Sequence, residues 1–288
     1  MKNKIVIATV VCAFAFFFSC QKDSTLPSDS TVVTASDESD MYTETLPMVQ
    51  KPITHTVNAN IGGYLEALPA HYADHPKKRY PLIIFLHGIG ELGNGTTADL
   101  GKVANNAIPK LIAKGTFPSN FIVHDTSFQF IVLSPQFKGW PSAKDINEML
   151  NFAIRKYRID YTRLYLCGLS MGGGGVWDYS WVNGKRFAAI VPISGASWPT
   201  TQKAQAIAGD DIAVWAFHNT NDPTVPSWYS VDYVQYINDY TPAIRAKLTE
   251  FNSTSHDAWT TATDPNYREN GTNIYEWMLS FKKTKYKH

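Results

Sequence analysis

The sequence predicts an α/β fold, a mostly parallel, doubly wound sheet with helices on both faces. From Thr54 onward, apolar runs alternate with segments of helical periodicity, the pattern of strand–helix–strand crossovers. Leu82-Ile83-Ile84-Phe85-Leu86 is apolar without a break, as a strand covered on both faces must be. The run Leu164-Tyr165-Leu166-Cys167 leads straight into Gly168-Leu169-Ser170-Met171-Gly172 and on through Gly173, Gly174 and Gly175. Glycines there permit a tight strand-to-helix turn and a close approach of the helix to the strand.

Thr56 to Leu68 reads as an early hairpin, with Gly62-Gly63 at its turn or at a bulge. Leu82 to Leu86 is the central strand. Leu100 to Lys114 reads as a helix interrupted near Pro109, since proline lacks the donor a helix interior requires. Phe128 to Leu133 is the next strand, followed by a loop from Ser134 to Pro141. Ala143 to Tyr157 carries Ile146, Met149, Leu150, Ala153 and Ile154 at helical spacing. Leu164 to Gly168 is the strand before the glycine turn, and Met171 to Trp181 the helix after it. Phe187 to Ser194 and Ile212 to His218 are strands, Trp228 to Tyr240 a helix, Ala246 to Phe251 the last strand and Ile274 to Phe281 a closing helix. No internal repeat is visible, so residues 51–288 read as one domain.

The segment ahead of that domain is of another kind. Lys2 and Lys4 precede an apolar stretch, Ile5 to Phe18, too short for a comfortable membrane span. It ends Phe17-Phe18-Ser19-Cys20, which resembles a bacterial lipobox. Residues 1–20 are therefore expected to be a signal peptide, with Cys20 lipidated; cleavage nearby without lipidation is the alternative. Residues 21–50 are Ser/Thr/Asp-rich and poor in bulky apolar residues, so a disordered tether is expected. The Gln21-Lys22-Asp23 start resembles the export tag of surface lipoproteins, which implies the outer membrane and exposure at the cell surface.

Composition narrows the function. A formal net charge of +1 favours neither nucleic acid nor a strongly acidic partner. Three cysteines without a C-x-x-C pair exclude a cysteine zinc site and a disulfide scaffold. Cys167, alone in the body of the chain, reads as a small core residue.

A serine in a strand–turn–helix elbow suits nucleophilic catalysis only with a base and a group to orient that base. Ser170 is followed by Asp222, after the Ile212–His218 strand, and by His256, after the last strand, so all three fall at the carboxyl ends of strands. Plain roles compete with these: a glycine-rich turn with an ordinary serine, a turn aspartate before Pro223, a loop histidine. Asp210 and Asp211 precede their strand and fall at the wrong end of the sheet. His87 and His218 stand at strand ends near the site, whereas His55, His71, His75 and His124 lie remote from it and His288 ends the chain.

Four segments together, Leu86-His87-Gly88-Ile89-Gly90-Glu91, Gly168-Leu169-Ser170-Met171-Gly172-Gly173, His218-Asn219-Thr220-Asn221-Asp222-Pro223-Thr224-Val225-Pro226 and His256-Asp257-Ala258-Trp259, resemble the α/β-hydrolase superfamily. The resemblance covers about residues 54–285 and is nearest to secreted feruloyl and acetyl-xylan esterases, polyhydroxybutyrate-depolymerase-like proteins and "predicted peptidases". It implies Ser170 as nucleophile, His256 as base and Asp222 as its orienting acid, with oxyanion donors at the Met171 and Ile89 N–H groups. It implies structural roles for His87 and His218. Asn219 replaces the family's usual glycine and tolerates the left-handed backbone that glycine would supply.

No cofactor or metal is implied. No long insertion between the Phe187 strand and the Trp228 helix suggests a lid domain, so long-chain triglycerides are disfavoured. The expected activity is that of a serine carboxylesterase, acting on small-molecule or polysaccharide esters such as acyl or feruloyl groups on plant polysaccharide. A serine peptidase of the same fold, or a non-catalytic surface glycan-binding lipoprotein, are the competing readings. Trp198 and Trp259, in loops at the active edge, are candidate substrate contacts, while Trp177 and Trp181 share a helix face and read as core. Glu91 reads as either a substrate-contacting or a loop-ordering carboxylate, with the choice between them open.

Overall fold

The computed structural model describes residues 42–283. The expected signal peptide, Cys20, the tether as far as residue 41 and His288 lie outside the described residues. In chain order, β1 (Val49–Ile53), β2 (Ile61–Leu68) and β3 (Tyr80–Leu86) lead through a 3-10 turn, Ile89–Glu91, to α1 (Thr97–Val103) and α2 (Ala107–Ala113). Next come β4 (Phe121–Val123), β5 (Thr126–Phe128), β6 (Ile131–Phe137), α3 (Ala143–Lys156), β7 (Ile159–Leu169) and α4 (Met171–Asn183). The remainder is β8 (Ala189–Ile193), α5 (Thr201–Ala208), β9 (Ala213–Asn219), α6 (Trp228–Asp239), β10 (Lys247–Phe251), α7 (Trp259–Ala262) and α8 (Ile274–Leu279).

Eight strands form one sheet in the order β1-β2-β6-β3-β7-β8-β9-β10, with β4 and β5 as a separate hairpin. The β1–β2 and β2–β6 pairs are antiparallel and every later pair is parallel. Alternation along the central strands sends side chains to two cores. Leu82, Ile84, Leu86, Leu164, Leu166, Val214 and Ala216 pack with Ile146 and Met149 of α3, Val176 and Trp177 of α4, and Tyr233 of α6. Ile83, Phe85, Tyr165, Cys167, Trp215 and Phe217 pack on the other side with Ile108 and Ile112 of α2 and Tyr275 and Met278 of α8. Helices thus cover both faces, as the unbroken apolar runs require.

Several boundaries differ from expectation. Of the two expectations for Gly62 and Gly63, turn or bulge, the bulge holds: they lie inside β2, where the β2–β6 register shifts between Ile61 and Gly63. The helix expected over 100–114 breaks at 104–106, and Pro109 sits in the first turn of α2, where its missing N–H would have had no partner. β6 continues through residues expected as loop. Its pairing with β3 ends at Leu133, and beyond that point it runs against β2 with Pro135 opposite Tyr64, so a missing donor is tolerated.

The body also starts before residue 50. Glu44 is 3% exposed, and its carboxylate accepts the N–H groups of Thr45 and His71 at 2.9 Å each. One well-satisfied buried carboxylate anchors a stretch whose composition alone reads as tether.

Candidate active site

β7 delivers Leu169 to the sheet's carboxyl edge, and Ser170 turns the chain into α4 with φ 51° and ψ −115°. A non-glycine residue pays roughly 1–3 kcal/mol for such a conformation. Neighbouring backbone holds it there: Ser170 N–H donates to Ile193 O at 2.9 Å, and Ser170 O accepts from Gly174 N–H at 2.9 Å and Ala196 N–H at 3.0 Å. Glycine is required beneath the turn. A Cβ at Gly168 would lie 2.6 Å from Gly172 O, and one at Gly172 would lie 2.2 Å from Leu86 O.

Three strand ends meet at this serine. His256, after β10, has its Nε2 2.9 Å from Ser170 Oγ, so the hydroxyl donates to the ring. On the other side its Nδ1–H donates to Asp222 Oδ2 at 2.6 Å. Asp222 lies after β9 with its side chain fully buried, and Oδ1 accepts the N–H groups of Thr224 at 2.8 Å and Val225 at 3.0 Å. Those bonds use the acid's other oxygen, leaving Oδ2 aimed at the imidazole. The structure therefore brings Ser170, His256 and Asp222 into one hydrogen-bonded series, with the imidazole tautomer fixed by the carboxylate.

His218 is also near, with Nε2 3.4 Å from Asp222 Oδ2. It donates from Nε2 to Val225 O at 2.9 Å and accepts at Nδ1 from Ser230 Oγ at 2.7 Å. Burial lowers its pKa, so it braces the acid loop as a neutral ring. His87 behaves alike: Nδ1–H donates to Gly88 O at 2.7 Å and Nε2 accepts Phe137 N–H at 3.0 Å. Burial pushes its pKa down to about 4.

Met171 N–H is the first donor of α4, and Ile89 N–H the first of the 3-10 turn after β3; helix geometry gives neither an internal acceptor. The Ile89 loop packs against the serine, since a Cβ at Gly88 would lie 3.7 Å from Ser170 Cβ. The Gly88–Ile89 peptide is oriented by His87. Because its C=O accepts from His87, the Ile89 N–H points the opposite way across the planar unit.

Two residues that support the histidine loop were not found from sequence. Ser194, at φ 45°, donates from Oγ to His256 O at 3.1 Å. Asn219 was expected to exploit a left-handed backbone; instead it ends β9 without positive φ, and its Nδ2 donates to Ser255 O at 2.7 Å. An amide, which glycine lacks, is what this position supplies. Neither contact follows from local pattern, because each joins separate strands.

The tryptophans divide. Trp177 is fully buried and stacks on Tyr233 at 4.2 Å, and Trp181 packs partly buried against the same core. Trp198 is 60% exposed and meets Trp228 and Tyr229 edge-on at 4.9 and 5.5 Å, two residues beyond the Ala196 that bonds the elbow. Trp259 is no open loop face: it starts α7, packs against the core and stands edge-on to the His256 ring at 5.1 Å. Cys167 is buried, and burial raises its thiol pKa, so it is core as expected.

The model of the family described as phospholipase/carboxylesterase matches residues 72–264. No curated protein matches the chain. Among solved structures, a thermostable esterase is similar with a TM-score of 0.54 and 23% identity, over 82% of this chain and 63% of that one. The chain thus spans less than two thirds of that esterase's length. A ferulic acid esterase is similar at TM-score 0.53 and 17% identity, over 76% of this chain and 96% of that one. A feruloyl esterase module from Clostridium thermocellum, complexed with sinapinate, follows at TM-score 0.51 and 17% identity, over 78% of this chain and 89% of that one. These likenesses bear on fold: a mostly parallel sheet with helices on both faces and, among the described residues, no large lid, as the sequence predicted.

Proposed function

We propose that this chain, which belongs to the phospholipase/carboxylesterase family, hydrolyses carboxylic esters through an acyl-enzyme on Ser170. One observation carries the reading: the strained Ser170 donates to His256 Nε2 at 2.9 Å while Asp222 holds the opposite ring nitrogen at 2.6 Å. Ser170 Oγ attacks the ester carbonyl as its proton passes to Nε2, and the imidazolium stays paired with Asp222. The tetrahedral oxyanion is bound by the N–H groups of Met171 and Ile89. His256 returns the proton to the leaving alcohol, and water repeats the sequence to free the acid. A single oxyanion donor is typically worth about 2.7–4 kcal/mol.

The exposed Trp198, with Trp228 and Tyr229 beside it, supports a substrate carrying a flat or ring-shaped group, such as a feruloyl or acylated sugar unit. A fluorophosphonate probe and a panel of acetyl, aryl and feruloyl esters, with matched amides, test the assignment. Wild type should label at Ser170 and turn over esters, and Ser170→Ala should lose both. If Ser170→Ala kept more than a few per cent of turnover, another nucleophile would be at work.

We also propose an outer-membrane lipoprotein anchored at Cys20. Its support is the short apolar segment ending at that cysteine and the polar stretch behind it. Cys20→Ser should remove the protein from the membrane fraction or leave it uncleaved. Wild-type protein free in the medium with an unmodified N-terminus would refute the anchor alone.

A further inference from the structure

Glu91 is 3% exposed, and burial raises its pKa with no cation among the causes that offset it. Its Oε2 accepts Gly88 N–H at 2.6 Å, and its Oε1 accepts Asn106 Nδ2 at 2.5 Å. Asn106 Oδ1 in turn accepts Trp259 Nε1–H at 3.3 Å, and the Trp259 ring stands against His256. A carboxylate only accepts and an indole N–H only donates, so the orientation of the Asn106 amide between them is fixed. One continuous series of bonds thus runs from the oxyanion loop to the side of the base.

Local structure is sacrificed for this bridge. Asn106 stands at the N-cap of α2, where its side chain ordinarily bonds the helix's first N–H groups, yet it makes no capping bond. The next residue, Ala107, is held at φ 51°. An uncapped helix start and a strained alanine, both beside an amide committed elsewhere, are the kind of local rule-breaking that accompanies function.

Resting on the esterase reading, we propose that Glu91 and Asn106 are positioning residues that tie the oxyanion loop to the base loop, so that Ile89 N–H and His256 address the same tetrahedral intermediate. Glu91 fixes Gly88 N–H while His87 fixes Gly88 C=O, which leaves the Ile89 N–H no freedom to turn away. Asn106 carries that constraint to Trp259, against which the imidazole rests.

An exchange of the two functional groups tests this. Glu91→Gln alone sets amide against amide, and Asn106→Asp alone sets carboxylate against carboxylate. In the double variant E91Q/N106D, the new amide at 91 still accepts from Gly88 and donates to the new carboxylate at 106, which still accepts from Trp259. Turnover of a p-nitrophenyl ester is measured per serine titrated with fluorophosphonate, so misfolded protein does not count.

Each single variant should lower kcat by about 10- to 100-fold, the effect of losing a hydrogen bond to a charged group. KM should stay within about twofold, as expected for an interaction made in the transition state. The double variant should recover most of the loss. A merely structural role would lower Tm while leaving kcat per titrated site unchanged. Should a single variant fail to fold, Trp259→Phe removes only the last donor and should lower kcat per site severalfold. Unchanged kcat in the variants, or a double variant as impaired as the singles, would overturn the bridge. A wild type that neither labels nor turns over esters would instead bring down the esterase reading and the bridge with it.

Discussion

A methyl group added at Gly172 would stand 2.2 Å from the Leu86 carbonyl oxygen and 2.6 Å from that of His87. Both obstacles are backbone, and carbon–oxygen contacts settle no nearer than about 3.3 Å. The first turn of α4 must therefore retreat from the end of β3 by about 1 Å. Overpacking of this kind costs about 1–3 kcal/mol, or a fall in Tm of roughly 2–12 °C for a domain this large. Activity should suffer more, because the retreat carries Ser170 and Met171 N–H away from the Ile89 loop that continues from those two carbonyls. A misplacement near 1 Å costs about 100-fold in rate. The expected result for Gly172→Ala is thus a kcat loss approaching that figure in protein that still melts cooperatively. Gly101→Ala, in α1 with nothing within 4 Å of the added carbon, serves as the control and should match wild type. If Gly172→Ala kept kcat within about threefold of wild type, at the size of effect a lone weak contact gives, close helix–strand approach would not be what sets the oxyanion site.

Three further outcomes are expected. The His87 pKa of about 4 lies below the ordinary 6.5 because burial penalises the cation, so the unfolded chain takes up that proton first. Stability should then be full above about pH 6.5 and fall by up to about 3 kcal/mol as pH drops toward 4; His87→Asn should flatten the melting-temperature slope in that window, and an unchanged slope would count against it. Asn219→Gly removes the bond to Ser255 O and should lower kcat by roughly 2- to 10-fold at constant KM, measured per titrated site; full activity would show that the amide does not position His256. Trp198→Ala should weaken kcat/KM for aryl or sugar esters by about 2- to 10-fold, as loss of an aromatic contact does, and leave ethyl acetate, which has no ring, unaffected. Equal effects on both substrates would remove Trp198 from the binding site.

The central strands and the elbow were legible because each is encoded locally, by an apolar run or a tight-turn sequence, whereas Asp222 and His256 were picked out through the resemblance of their loops. Other features depended on distant partners. β6 passes through Pro135 beyond Leu133, where its pairing with β3 has stopped. The β4–β5 hairpin turns on His124 and Asp125, both at positive φ, without the glycine that signals such turns. α5 carries Ala204, Ile207 and Ala208 as its buried residues, too faint a stripe to stand out. At the site, Glu91 was visible as a carboxylate near the serine, but its partner Asn106 becomes a neighbour only when the loop after β3 folds back on the start of α2. The Asn219 amide was misread for a similar reason: a substitution for glycine invites an argument about backbone, and the bond it makes is to another strand's loop.

On the proposed esterase reading, the nucleophile and its base are 86 residues apart, separated by three parallel crossovers. During synthesis at about 5–20 residues per second, Ser170 is made roughly 4–17 s before His256. Nascent protein in that interval has an elbow but no proton acceptor, and β10, which brings the acceptor in, has no place until β9 has docked. If the proposed mechanism holds, hydrolytic power arrives as a late event in the polypeptide's life, and a truncated or stalled product is inert toward the esters of the cell that makes it.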